Sequence, residues 1–100
     1  MSVLVVGKFY GDTAKFREAL AERGDEFVAI AENAKPVGAI HHQFGIGDGF
    51  VIVVDEWETM EQFNAFFADP KLHEFMGSVG FAGGEPEFWF SEAISTPDQF

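Results

Sequence analysis

A glycine turn in the middle of the chain constrains the fold more than any other feature of this sequence. Two strand-like runs, 37–46 and 50–57, lie on either side of Gly47-Asp48-Gly49. Glycine adopts positive φ angles without a steric penalty, so a turn of this composition favours a tight hairpin between the two runs. We therefore predict an antiparallel pair of strands at the centre of the chain, which the remaining elements must flank.

The residues before this hairpin predict one strand and one helix. Residues 2–10, SVLVVGKFY, are mostly β-branched or aromatic, which is typical of a buried strand. Between Asp12 and Pro36 the apolar residues recur every three or four positions, which predicts an amphipathic helix. Asp12 or Thr13 is predicted to cap this helix, and Gly24 to bend it.

The residues after the hairpin repeat the pattern of one helix and one strand. Thr59 to Gln62 has the form of a capping box and predicts the start of a second helix, which breaks and restarts at Asp69-Pro70. Residues 77–86 are rich in glycine and predict a loop. Residues 86–93 alternate between apolar and polar side chains and predict a last strand.

This order of elements predicts an α+β fold of the ferredoxin-like, split βαβ type. The order β-α-β-β-α-β gives an antiparallel sheet with both helices on one face. The 100 residues are enough for one such domain, which we assign to residues 1–93, with a C-terminal tail at 94–100.

The sheet is predicted to need a cover on its second face. Residues 50–54 are all apolar, and residues 2–6 nearly so, although two helices can shield only one face. Exposure of an apolar sheet costs roughly 25 cal/mol per Å², so a homodimer joined sheet to sheet is expected. A sheet that stays exposed and sticky is the alternative.

The charge and the cysteine count exclude several classes of partner and chemistry. The formal net charge is −11, which disfavours nucleic acid and anionic membranes as partners. The absence of cysteine excludes disulfides, thiolate zinc sites and cysteine nucleophiles, and it suits a reducing cytoplasm. The N-terminal residues do not have the pattern of a secretory signal, so a cytoplasmic location is expected.

Two segments carry a resemblance to a known family: DEWET at 55–59, which closes the third strand, and QFNAFFADPKLHEFM at 62–76. Over residues 2 to 92 the chain resembles the dimeric α/β-barrel superfamily and, within it, the antibiotic-biosynthesis-monooxygenase-like domains. The resemblance implies sheets paired into a dimeric barrel and a ligand between the sheet and the second helix. The superfamily includes cofactor-independent oxygenases of aromatic polyketides, isomerases and haem-degrading enzymes.

The resemblance to the haem-degrading branch extends to only one residue. Trp57 matches a tryptophan that lines the pocket in that branch. The ligand histidine of the branch falls near Met76, one helical turn beyond His73, and its first-strand asparagine has no counterpart here. The resemblance therefore favours a protein without a cofactor, with haem binding in another pose as an alternative.

The adjacent histidines His41 and His42 are the strongest candidates for chemistry. Strand alternation sends them to opposite faces, so they cannot chelate one metal together. A two-residue loop is expected to set His42 opposite Val53 and diagonal to Asp55, whereas a three-residue loop sets His41 opposite Asp55. One histidine beside Asp55 is the predicted general base, and a purely structural histidine is the alternative.

The remaining candidates are aromatic and are predicted to contact a ligand. Trp57, Phe63 and Phe67 can form a wall for a flat molecule, although such a stripe is often only core. His73 faces either the same cleft or the solvent. No spacing typical of a metal site is present, so no metal is predicted.

These features lead to three hypotheses for the function. The first is a small homodimeric protein that binds an apolar or aromatic small molecule between the sheet and the second helix. It would act as a cofactor-independent monooxygenase or isomerase, with His42 or His41 and Asp55 as catalytic residues. The second is a non-enzymatic binding or interaction domain with structural histidines. The third is a haem-binding protein.

Overall fold

Four antiparallel strands form the single sheet of the computed structural model, which describes residues 2–81 and 84–100. In chain order the strands are β1 Val3–Tyr10, β2 Ala39–Gly47, β3 Phe50–Trp57 and β4 Glu87–Glu92. Their order in the sheet is β2-β3-β1-β4. In this order the first and third strands lie side by side at the centre. The predicted ferredoxin-like α+β fold is confirmed.

The first helical region consists of two helices where the sequence predicts one bent helix. They are α1, Thr13–Glu22, and α2, Gly24–Ala34, followed by a 3₁₀ turn at Lys35–Val37. Arg23 lies between them outside the helical conformation, with φ −124° and ψ 28°. Of the two predicted caps, Asp12 is the one used, because its carboxylate accepts the backbone N–H of Lys15 at 3.0 Å.

The second helical region is divided at the predicted position. It consists of α3, Met60–Phe67, and α4, Pro70–Met76. The Thr59 hydroxyl caps α3 by accepting the backbone N–H of Gln62 at 3.1 Å, and Asp69 caps α4. Residues 77–81 continue as an irregular turn that passes through Gly80 at φ +122°. Of the loop predicted at 77–86, residues 82 and 83 lie outside the described residues.

The loop of the hairpin between β2 and β3 is two residues long, although the glycine pattern covers the three residues Gly47-Asp48-Gly49. Gly47 pairs with Phe50, so Gly47 belongs to β2 and only Asp48 and Gly49 form the turn, with Gly49 at φ +79°. The two-residue loop, one of the two predicted alternatives, is therefore present, but the pairing predicted for it, His42 opposite Val53, was wrong, and so was His41 opposite Asp55. The observed register sets His42 directly opposite Asp55.

The helices cover one face of the sheet and leave the other face open. On the covered face, Val5, Val51 and Trp57 are almost completely buried. A row of apolar side chains crosses the open face, formed by Val54, Val6 and Trp89 at paired positions on β3, β1 and β4. Val54 is 39% exposed and Trp89 is 53% exposed. We refer to this row as the outer apolar row.

The described helices are all too short or too polar to cross a membrane. Residues 93–100, which include the predicted tail, form neither helix nor strand, and the backbone N–H of Ala93 donates to the Ser2 carbonyl at 3.0 Å.

The close packing beneath β1 gives a test of this core. A Cβ on Gly7 would lie 2.8 Å from Phe88 Cε1 and 3.0 Å from a Val53 methyl, whereas a Cβ on Gly45 would have no atom within 4 Å. We predict that Gly7→Ala lowers the free energy of unfolding by about 1–3 kcal/mol through overpacking. The matched Gly45→Ala should change it by about 1 kcal/mol or less. Urea denaturation measures both, and equal effects would contradict the packing described.

Candidate active site

A cavity of about 170 Å³ lies between the covered face of the sheet and the helices. Phenylalanine is the most frequent residue type in its wall, because both the sheet and the helical regions direct aromatic side chains into the space between them. The phenylalanines that line it come from all parts of the fold: Phe9, Phe16, Phe27, Phe44, Phe63, Phe66, Phe67, Phe75, Phe81 and Phe88. Such a wall suits an apolar or aromatic molecule.

Few polar side chains interrupt this wall, and two of them form a close pair. The Nδ1 atom of His42 lies 2.7 Å from Oδ1 of Asp55. The two residues face each other across β2 and β3, on the covered face of the sheet. The His42 side chain is 41% exposed and Asp55 is 8% exposed, so the pair extends from the interior to the edge of the cavity.

Asp55 also holds the indole of Trp57. The Nε1–H of Trp57 donates to Oδ2 of Asp55 at 3.2 Å. Trp57 is 2% exposed, and its ring packs against Phe63 and Phe66 at centroid distances of 5.8 and 5.3 Å. Both oxygens of the buried carboxylate therefore have partners, which removes most of the penalty for burying it.

A β-bulge at the start of β2 determines which residues share the face of His42. Ala39 pairs with Trp57, but the next paired residue, His41, lies opposite Glu56, so Ile40 is the extra residue. Ala39 therefore packs in the core with Trp57, although simple strand alternation places it on the same face as His41. His41 borders the cavity but does not meet Asp55.

The predicted aromatic contacts are brought together at the cavity. Phe63 and Phe67 stack at 5.5 Å with an angle of 15° between their rings, and Trp57 lies beside Phe63. All three line the cavity. Their contact with a ligand remains a prediction.

His73 packs edge to face against Phe67, with 4.8 Å between the ring centroids, but it is not among the residues that line the main cavity. Its Nε2–H donates to the backbone carbonyl of Phe67 at 2.6 Å, near the end of α3. The nitrogen that a haem iron would need is therefore engaged with the backbone. His73 does not fit the role of a haem ligand. Within 2–81 and 84–100, no three histidine or acidic side chains cluster closely enough to hold a metal ion.

The chain is similar in structure to three solved proteins over nearly its whole length. No protein-family model matches the sequence, and no curated protein matches it significantly. SnoaB, a cofactor-independent oxygenase from Streptomyces nogalater, is 16% identical, with 98% of each chain covered and a TM-score of 0.65. A monooxygenase from the gene ActVA-Orf6 of Streptomyces coelicolor, in complex with nanaomycin D, is 21% identical, with 95% of this chain and 89% of that chain covered and a TM-score of 0.64. An antibiotic biosynthesis monooxygenase is 9% identical, with 93% and 99% covered and a TM-score of 0.64.

This chain shares its fold with these three proteins. The resemblance predicted from DEWET and from the phenylalanine-rich helix is thereby confirmed for the architecture. At these identities the likeness concerns the fold, and the chemistry must be argued from the residues of this chain.

Sequence reasoning did not assign several phenylalanines of the cavity wall to the site. Phe16 and Phe27 were assigned to the buried stripe of the first helical region, and Phe44 to a strand, but none of them to a site. Their rings pack edge to face, at 5.7 Å for Phe16 and Phe27 and 5.3 Å for Phe16 and Phe44. The spacing of eleven residues between Phe16 and Phe27, about three helical turns, was the available signal.

The position of His73 leads to a prediction that separates a structural role from haem binding. His73→Ala removes one hydrogen bond and should lower the free energy of unfolding by about 0.5–1.5 kcal/mol. A haem titration should give the same absorption spectrum for wild type and variant. A Soret band that is present in the wild type and lost in His73→Ala would contradict this assignment.

Proposed function

We propose that this protein binds a flat, apolar molecule that carries one hydroxyl group, and that His42 with Asp55 removes the proton of that group. One observation carries the proposal: a hydrogen-bonded histidine and carboxylate lie at the edge of a cavity that is otherwise lined mainly by apolar and aromatic side chains. An apolar wall binds the ring system, and a single polar pair orients it. General bases in proteins are most often histidines placed in this way.

The size of the cavity supports a ligand with a small ring system. A cavity of about 150 Å³ lined by apolar side chains is large enough to hold benzene. The cavity here, about 170 Å³, therefore encloses one aromatic ring, and a second ring would extend toward the exposed side of His42. A naphthol meets both conditions and is a suitable probe.

The proton transfer that we propose leaves an anion in an apolar site. Nε2 of His42 accepts the hydroxyl proton, the ligand becomes an aryloxide or enolate, and the Asp55 carboxylate stabilises the imidazolium. Return of the proton to a carbon atom of the anion would be an isomerisation. Reaction with dioxygen, the oxidant, would convert 1-naphthol and one O₂ into 1,4-naphthoquinone and one water, with no cofactor. We favour oxygenation, because SnoaB and the ActVA-Orf6 protein are described as oxygenases.

Calorimetric titration of 1-naphthol and 1-methoxynaphthalene tests the role of His42. The two probes share a ring system, but only the naphthol can donate a hydrogen bond. Because a net hydrogen bond contributes about 0.5–1.5 kcal/mol, we expect naphthol to bind roughly two- to twelvefold more tightly. His42→Ala should abolish this preference, and the matched His41→Ala, which also borders the cavity but lies opposite Glu56 rather than Asp55, should keep it. A preference unchanged in His42→Ala would rule out this orientation.

An oxygen electrode distinguishes the enzyme from a binding protein. The proposed oxygenation predicts one O₂ consumed for each naphthoquinone formed, with loss of both signals in His42→Ala. Binding without O₂ uptake or any isomerised product would instead assign the non-enzymatic alternative.

We further propose that a second copy of the chain covers the outer apolar row. Val54, Val6 and Trp89 are adjacent across three strands on the face that the helices leave open. Burial of such a row against an identical row is favourable by roughly 25 cal/mol per Å² of apolar surface. A homodimer joined sheet to sheet satisfies this requirement without any other partner.

Light scattering coupled to size exclusion tests the dimer. A carboxylate at the centre of the outer apolar row would be buried without a partner, so Val54→Asp is expected to give a monomer. Val28 is a matched control, because this valine is 59% exposed on α2, in the helical layer. Val28→Asp should leave the dimer intact. A wild-type monomer at micromolar concentration would refute the sheet-to-sheet dimer.

A further inference from the structure

The indole of Trp57 lies in the cavity wall, and its N–H group donates a hydrogen bond within the protein. Trp57 is 2% exposed, and its Nε1–H is engaged by Oδ2 of Asp55 at 3.2 Å. The ring is held between Phe63 and Phe66. The polar atom of Trp57 is therefore already engaged by Asp55.

The hydrogen bonds of Asp55 divide its two oxygens between a buried partner and a partly exposed one. Oδ2 binds the buried indole, and Oδ1 binds Nδ1 of His42 at 2.7 Å. His42 lies on β2, an edge strand of the sheet, and its side chain is 41% exposed. The indole therefore fixes the rotation of the carboxylate, and the carboxylate in turn fixes the orientation of the imidazole.

We propose that Trp57 is a positioning residue that, through Asp55, holds His42 as the Nδ1–H tautomer with Nε2 presented to the cavity. The inference rests on the proposed function, in which Nε2 is the base. In free, neutral imidazole side chains the proton is preferentially on Nε2. A protonated Nε2 cannot act as the base. A carboxylate acceptor at Nδ1 reverses this preference. No described residue forms a hydrogen bond with Nε2 of His42, so this atom is available to a hydroxyl group.

The same arrangement specifies whether the ligand donates or accepts the hydrogen bond to His42. With Nδ1 donating to Asp55, the exposed nitrogen of His42 is an acceptor, so the ligand must contribute a proton donor at that point. Phenols and enols meet this requirement, whereas ethers and simple ketones do not. Trp57 thus acts on ligand choice through two hydrogen bonds and without direct polar contact.

Nitrogen-15 NMR of the ligand-free protein tests this role, in alkaline buffer that leaves the imidazoles neutral. In the wild type, His42 should show two well-separated ring ¹⁵N signals, with the protonated nitrogen at Nδ1. In Trp57→Phe, which keeps an aromatic ring but lacks the N–H, the two signals should move toward each other as both tautomers become populated. Trp89→Phe is the matched control, because it changes the other tryptophan, on the open face, and should leave the His42 signals in place.

A second variant covers the case in which Trp57→Phe does not fold. Benzothienylalanine at position 57, introduced by chemical synthesis, keeps the bicyclic shape and replaces the N–H with sulfur. It should shift the His42 signals in the same way. A folded protein of either kind with an unchanged His42 tautomer would overturn the positioning role, as would a wild-type His42 protonated at Nε2.

The outcomes for this inference and for the proposed function are separable. If His42 keeps its tautomer without the indole N–H, while the preference for 1-naphthol still depends on His42, only the positioning role fails. If the tautomer responds as expected but 1-naphthol and 1-methoxynaphthalene bind equally, the proposed function fails and the hydrogen-bonded chain stands as a structural element. Loss of the naphthol preference in Trp57→Phe, together with the tautomer shift, supports both.

Discussion

The rest of the site depends on the two hydrogen bonds of the Asp55 carboxylate. Among the described residues it is the only buried side chain that is polar or charged. Burial of an isolated carboxylate is strongly unfavourable, so its two partners are part of what makes this core possible. One partner, Trp57, belongs to the core, and the other, His42, belongs to the edge of the cavity. Asp55 therefore connects the stability of the fold to the chemistry of the site.

The pairing of Asp55 with His42 depends in turn on a two-residue turn. Because side chains alternate along a strand, a shift of one residue in the register would exchange the faces of every side chain on β2. With Asp48 and Gly49 as the turn, His42 lies opposite Asp55, and His41 lies opposite Glu56. The bulge at Ile40 then returns Ala39 to the covered face, where it packs against the core. The glycine at the turn thus affects the site although it does not contact it.

Local features of the fold were predictable from the sequence because short-range interactions cause them. The caps at Asp12, Thr59 and Asp69 are hydrogen bonds to backbone groups two or three residues further along the chain. The alternating and helical patterns arise within single strands and helices. The break between the two helices at Arg23 was harder to predict from the sequence, because Gly24 is compatible with both a bend and the start of a new helix. The face that the helices leave open was also predictable, since residues 50–54 are apolar on both sides.

The sequence by itself determined the order of the elements, their caps, the apolar character of both sheet faces and the small set of residues able to carry chemistry. Only the tertiary structure decided that His42 rather than His41 meets Asp55, that the indole of Trp57 binds a carboxylate, and that His73 binds the backbone of α3. The physical reason is the distance along the chain over which each interaction acts. Periodicity and capping act within one or two turns, whereas the site joins strands and helices through a register that a single residue in the turn can change.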